Sequence, residues 1–225
     1  MVDVIKLVII DDHTLFRTGL YELLTRRNLD VVGMTGVAME ALDLVVSAAP
    51  DIVLLDLRMG ETSGLEILRD IRKALPDQRV IILTTSIEEG DVLRALRLGA
   101  DGYLLKDMDA DNLVQHLQQA HAGETVVSQD FTGLLARAAV SRDNLQPKAA
   151  TNTYKLTPRE MDILSHIAKG ESNKHIAAEL GIVDGTVKLH VRQVLKKLGV
   201  QTRVQAALLA VSEQLCIEHN DDEFK

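Results

Sequence analysis

Five times in its first ~120 residues the chain passes from a short apolar run into a segment of helical period, and that alternation leaves few architectures open. Lys6-Leu7-Val8-Ile9-Ile10 reads as a buried strand because it is short, branched and ends in a polar turn. Leu15, Leu20, Leu23 and Leu24 then recur at helical spacing. Val31–Met34 reads as a second strand, followed by a helix over Glu40–Ala49 that Pro50 stops. A third strand at Ile52–Leu55 precedes a helix over Leu65–Leu75, and a fourth at Val80–Leu83 precedes one over Glu89–Leu98, ended by Gly99. The fifth strand, Gly102–Leu105, is followed by a helix over Ala110–Ala122 that ends at Gly123. The strands are nearly continuous in apolar residues rather than alternating with polar ones. Both faces must then be covered, which predicts a doubly wound, five-stranded parallel sheet with helices on either side.

The pattern loosens after Gly123. Phe131–Val140 has one apolar side and reads as a helix, and Ser141–Tyr154 is polar, contains Pro147 and reads as a linker. From Leu156 the period is helical throughout, with breaks at Gly170, Gly181 and Gly199 that predict four short helices. The expected division is therefore an α/β domain over 1–124, a linker over 125–154, a smaller all-α domain over 155–217 and an acidic tail over 218–225. Net charge follows the same division: −8 over residues 1–154, +4 over 155–212 and −4 over 213–225. The basic module is the one suited to phosphate contacts. No apolar run approaches the roughly 18 residues of a membrane span, and the N-terminus has no secretory pattern. Cys216, the single cysteine, excludes an intrachain disulfide and suits a reducing cytoplasm, where a small apolar helix residue is its expected role.

In a doubly wound sheet, ligands sit outside the carboxyl ends of the strands. There strand 1 delivers Asp11 and Asp12, strand 3 Asp56, strand 4 Thr84 and strand 5 Lys106. Taken singly, an aspartate at a strand end is often only a turn residue, Thr84 a strand residue and Lys106 a surface charge. Taken together they put polar chemistry from four strands at one edge. Three carboxylates in one place repel unless a cation neutralises them, and an all-oxygen donor set suits Mg²⁺. A carboxylate can accept a phosphoryl group as a nucleophile, with a lysine and a hydroxyl binding its other oxygens. His13, beside the aspartate pair, reads as a loop residue.

The segments IKLVIIDDH, DIVLLDLRM, VIILTT and GADGYLLKD resemble the receiver domain of two-component response regulators, over residues 5–122. The resemblance implies a flavodoxin-like fold in which Asp56 accepts a phosphoryl group from a sensor histidine kinase. It implies that Asp12 binds Mg²⁺ directly, Asp11 through water, and that the main-chain carbonyl of Arg58 adds a ligand. Lys106 would contact the phosphoryl group, and Thr84 with Tyr103 would form the switch that reports it. The chain departs from the family at Gly60, where a proline is common, at Asp107, where a proline often follows the lysine, and at Thr85, where alanine is common.

Toward the C-terminus, Thr157 with Pro158 and Glu160 forms a helix start, with Ile163, Leu164 and Ile167 on the apolar face. Ser172 is expected to cap the next helix and Asp184 the one after the Gly181–Val183 turn. On that third helix Val187, Val191, Val194 and Leu198 form the apolar face. Residues 156–211 resemble the LuxR-type helix-turn-helix of the NarL/FixJ response regulators. By that resemblance the third helix enters the major groove of promoter DNA, with Lys188, Leu189 and Arg192 at base edges. Thr186, Lys174 and Lys196 are expected phosphate contacts. Val204, Leu208, Val211 and Leu215 on the last helix are spaced for either a homodimer seam or the domain's own core.

Two other functions fit parts of the pattern. A phosphatase using Asp56 would commonly need a second aspartate two residues on, where this chain has Arg58. A constitutive DNA binder whose first domain is only an interaction module would need no phosphate on Asp56.

Overall fold

A computed structural model of the chain describes residues 4–60, 62–124, 126–127, 154–213 and 215. The chain divides into two compact units, residues 1–134 and 135–225. The helix expected over 131–140, residues 141–153 of the expected linker, Cys216 and the acidic tail lie outside the described residues.

In the first unit the elements are β1 (Lys6–Ile10), α1 (Thr14–Arg26), β2 (Asp30–Thr35), α2 (Ala41–Ala48), β3 (Ile52–Leu55), β4 (Arg58–Met59) and β5 (Thr62–Ser63). They continue with α3 (Gly64–Ala74), β6 (Arg79–Thr84), α4 (Glu89–Arg97), β7 (Gly102–Leu105), α5 (Ala110–His121) and β8 (Val126–Val127). The main sheet runs β2-β1-β3-β6-β7-β8, every pair parallel. Its central strands are buried along nearly their whole length, which is why their sequences are apolar without alternation. Each fully buried Leu, Ile or Val contributes about 1.5–3 kcal/mol over an exposed one. Strand order reverses between β1 and β3, and the crevice at such a switch point is where doubly wound folds bind ligands.

Three details differ from expectation. A short antiparallel pair, β4 with β5 through Arg58–Ser63 and Met59–Thr62, follows β3. The sheet has a sixth short strand, β8, paired through Gly102 with Val126 and Tyr103 with Val127, inside the segment expected to be linker. Two residues are too few to leave a periodic signal, and only the free edge of β7 makes them a strand. The first part of the helix expected from Glu40 is a 3-10 turn, Ala38–Glu40, before α2 begins at Ala41.

Arg72, at the end of α3, is 4% exposed and donates to the carbonyls of Gly99, Pro76 and Gln78 and to the Asp101 carboxylate. Asp101 also accepts from the Val80 main chain at 2.8 Å. This cluster ties the amino end of β6 to the turn before β7, at the edge of the sheet opposite the aspartates.

The second unit contains α6 (Pro158–Ala168), α7 (Asn173–Glu179), α8 (Asp184–Leu198) and α9 (Arg203–Ser212). Thr157 and Glu160 form a reciprocal capping box, and Ser172 caps α7 by accepting from His175 N. The N-cap of α8 is Val183, without a side-chain bond, and Asp184 is the first helical residue. Asp184 still places negative charge at the positive end of the helix dipole, and it pairs with Lys188 instead of capping. A second capping box, Thr202 with Gln205, starts α9. On α9 the core face is Ala206 and Ala210, with Val204 also buried. Leu215 packs against that core, whereas Val211 is 41% exposed. The expected four-residue stripe is thus divided, because alanines weigh little in apolar periodicity yet fit closest between helices. Among the described residues, no helix is long and apolar enough to cross a membrane.

Candidate functional site

Sheet hydrogen bonds carry the strand ends into one crevice. Asp11 N donates to Thr35 O at 3.0 Å, Asp56 N to Ile10 O at 2.9 Å and Lys106 N to Thr84 O at 2.9 Å. Parallel pairing therefore continues one residue past each strand, and the next side chains emerge side by side. Asp11 is 2% exposed and Asp56 3% exposed. The Lys106 ammonium lies 2.6 Å from Asp56 Oδ2 and 2.7 Å from Asp11 Oδ2. The other Asp56 oxygen accepts from Arg58 N at 3.3 Å.

One lysine does not neutralise this crevice. Two like charges 4 Å apart repel by about 4 kcal/mol at an effective dielectric constant of 20. Asp12 Oδ1 is buried and has no hydrogen-bond partner. His13 Nδ1 stands 2.9 Å from that oxygen, but off a hydrogen-bonding direction, and the imidazole side chain is 64% exposed. Oxygens of Asp11, Asp12 and Asp56 and a nitrogen of His13 all lie within 4.8 Å of one another. An orphaned oxygen among converging carboxylates fits a hard divalent cation, and Mg²⁺ in particular takes few protein ligands and keeps several waters. His13 was expected to be only a loop residue. As the N-cap of α1 it does start from the loop, but its ring turns back over the acids, which the sequence could not show.

Thr84 is fully buried, and its hydroxyl accepts from Ser86 N at 3.2 Å. The Tyr103 ring is also fully buried, and its hydroxyl donates to Ser86 O at 3.1 Å. Burial pushes the Tyr103 phenol up to about 12, against the opposing effect of the Ser86 bond, so it stays protonated. Ser86 in turn donates to Asp91 Oδ2 at 2.6 Å, linking the Thr84–Tyr103 pair to α4. Sequence reasoning missed Ser86, because a serine in a polar loop carries no signal of such a junction. It also missed Gly64, where a Cβ would collide with the Asp56 carbonyl oxygen. Gly60 takes φ +60, a turn conformation that the proline common at this place in the family cannot adopt. The described residues contain no cis peptide, the bond before Asp107 included.

On α8, Lys188, Leu189, Arg192 and Lys196 are all exposed, along the side away from buried Val187, Val194 and Leu198. Lys188 pairs with Asp184 at 2.9 Å and Leu189 is 54% exposed. Thr186 is half-buried at the start of the helix, and Lys174 is exposed on α7. Exposed Val183, at the N-cap, was not among the expected contacts.

Comparison with known proteins gives two family matches, to the response regulator receiver domain over residues 7–118 and to the bacterial regulatory proteins of the luxR family over residues 154–210. The chain is 41% identical over 216 residues to the nitrate/nitrite response regulator protein NarL of Escherichia coli K12, covering 93% of this chain and 96% of that one. It is 37% identical over 212 residues to the response regulator protein VraR of Staphylococcus epidermidis ATCC 35984, covering 94% and 98%. Among solved structures, a LuxR-family two-component response regulator from Aurantimonas sp. SI85-9A1 matches with a TM-score of 0.58 and 32% identity, over 61% of this chain and 99% of that one. With both domains matched and relatives aligned over nearly their whole length, the chain belongs to the response regulators that join a receiver domain to a LuxR-type DNA-binding domain, and is a phosphorylation-controlled transcription regulator.

Proposed function

We propose that Asp56 is the phosphoacceptor of this regulator, that a sensor histidine kinase supplies the phosphoryl group, and that the modification controls promoter binding by α8. The observation that carries this reading is the Lys106 ammonium held between Asp56 and Asp11 in the buried crevice. An Asp56 oxygen attacks the phosphorus of a phosphohistidine, the new O–P bond forms as the N–P bond breaks, and the imidazole leaves with the electron pair. Lys106 meets the charge that moves outward onto the phosphoryl oxygens, and the Thr84 hydroxyl is the second donor. Tyr103, coupled to Thr84 through Ser86, passes the change to α4. Asp12, Asp56 and the Arg58 main-chain carbonyl would hold Mg²⁺, with Asp11 acting through water. That ion supplies neutralisation of the crowded carboxylates and of the incoming phosphoryl charge. Arg58 stands where a phosphatase would commonly place its second aspartate, which favours a switch over a turnover enzyme.

At the DNA, Arg192 and Lys188 suit guanine edges and Leu189 suits a thymine methyl group. Thr186, Lys174 and Lys196 suit phosphates. The regulator acts in the cytoplasm as a homodimer on two half-sites. Full-length domains are proposed as 1–124 for the receiver and 155–217 for the DNA-binding domain. The test is treatment of the full chain with acetyl phosphate and Mg²⁺, followed by mass spectrometry and by selection of bound DNA with and without the donor. Phosphate on Asp56, its loss in Asp56→Asn, and a donor-dependent rise in affinity for the selected site are expected. Equal incorporation by Asp56→Asn removes Asp56 from this role.

A further inference from the structure

Lys106 has a third neighbour besides its two carboxylates. Its Nζ lies over the ring of Phe16, 4.5 Å from the centroid. Phe16 is on α1, half-buried and packed against the receiver core. With Leu15, Leu105 and Met108 it also lines an apolar cavity that reaches Lys106. Core packing alone accounts for an apolar residue at this place, but a leucine would serve that purpose equally well. A ring adds the negative face of its quadrupole, which attracts an ammonium most strongly where water is excluded. The Lys106 side chain is 8% exposed, so this contact is largely desolvated.

We infer that Phe16 is a positioning residue for phosphoryl transfer, holding the Lys106 ammonium beside Asp56 with its ring face. The inference rests on Asp56 being the phosphoacceptor. An ammonium has three protons on a long stem with several rotatable bonds. Asp56 and Asp11 take two directions, and the ring occupies a third. When Asp56 becomes an acyl phosphate, its carboxylate charge moves outward onto the phosphoryl oxygens, and the bond to Asp56 Oδ2 weakens. The ring contact does not depend on the charge of either aspartate, so it persists through the step and keeps the ammonium within reach of the new oxygens. In this role Phe16 acts through Lys106, whose ammonium its ring faces.

Two measurements on the full chain test this. Proton NMR without any phosphoryl donor reads the Lys106 ε-methylene signals, which the ring current of Phe16 shifts upfield. Phe16→Leu should move them toward the values of an unshielded lysine, and Phe16→Tyr should retain the shift. Separately, the initial rate of Asp56 phosphorylation by acetyl phosphate with Mg²⁺ should fall roughly fivefold in Phe16→Leu and stay within about twofold of wild type in Phe16→Tyr. Unshifted Lys106 signals in the wild type would overturn the contact. A Phe16→Leu rate equal to wild type, or equal slowing of both variants, would overturn the positioning role and leave Phe16 as packing. Absence of phosphate on wild-type Asp56 is seen before any variant is made; it sinks the functional reading, and this inference with it.

Discussion

In the receiver, Lys106 and its partners Asp11 and Asp56 are almost entirely removed from water, whereas Lys188 on α8 keeps 56% of its side chain exposed beside Asp184. Both are lysine–aspartate pairs at hydrogen-bonding distance, yet they do different physical work. A buried charge is tolerated only while its partner is present, so the receiver pair enforces a geometry. An exposed i,i+4 pair contributes about 0.3–0.5 kcal/mol and gives way readily to a stronger partner such as DNA. On the proposed reading, the receiver thus holds its charges ready for one small group arriving by covalent chemistry. On the reading proposed above, α8 presents its charges to a surface that arrives whole.

The largest expected effect follows from removing the buried cation. Lys106→Met should cost about 3–5 kcal/mol of receiver stability in urea titrations without metal, because Asp11 and Asp56 are left facing each other. Added Mg²⁺ should recover part of the loss. A cost no larger than that of Lys188→Met would erase the distinction drawn between the two pairs.

Arg192→Ala addresses the other side. It should weaken binding to a selected DNA site by about 1–3 kcal/mol and relax preference at one base position, while folding stability stays within about 0.5 kcal/mol of wild type. Unchanged affinity and unchanged preference would take Arg192 out of the reading face.

Glu160 provides the smallest and sharpest comparison, a buried acid inside the DNA-binding domain. Burial pushes its carboxyl up, but the hydrogen bonds it accepts from Lys197 Nζ at 2.5 Å and from the Thr157 main-chain N–H at 2.7 Å, with the Thr157 side chain, outweigh this and hold it below the ordinary glutamate range. An acid lowered in the folded state contributes stability above its unfolded value, about 4.3, and that contribution disappears as pH falls through the lowered folded value. Urea midpoints read from α6 amide signals should therefore fall below pH ~4 in the wild type and depend less on pH in Glu160→Gln. Parallel pH profiles would show that the capping box carries no linked proton.

Much of the acidic crevice and of the second unit's helix starts was legible because each depends on local pattern. Asp11, Asp56, Thr84 and Lys106 were found at strand ends, and a parallel sheet has only one carboxyl edge. Thr157 and Ser172 were found as caps because capping is a matter of three or four consecutive residues. Asp184 misled because aspartate is favoured both at the N-cap and in the first turn, and the two differ by one residue. Leu208 and Val211 outweighed Ala206 and Ala210 in the pattern, although close helix packing selects the alanines. Ser86, His13 and Phe16 carried no signal, since nothing in a loop serine, a loop histidine or a helix phenylalanine says which distant group it meets.

The sequence by itself determined the order of the five longer strands and the helices between them, the edge at which Asp11, Asp56, Thr84 and Lys106 gather, and the four helices of the DNA-binding domain. Backbone periodicity and capping are short-range, so neighbouring residues are enough to specify them. Only the tertiary structure decided that Lys106 lies between Asp11 and Asp56 with Phe16 beneath it, that Asp12 keeps an unsatisfied oxygen, and that Tyr103 reaches Ser86. A side chain's direction within a crevice is set by repulsion, desolvation and packing among residues far apart in the chain, as Asp11 and Lys106 are, and no local pattern records that balance.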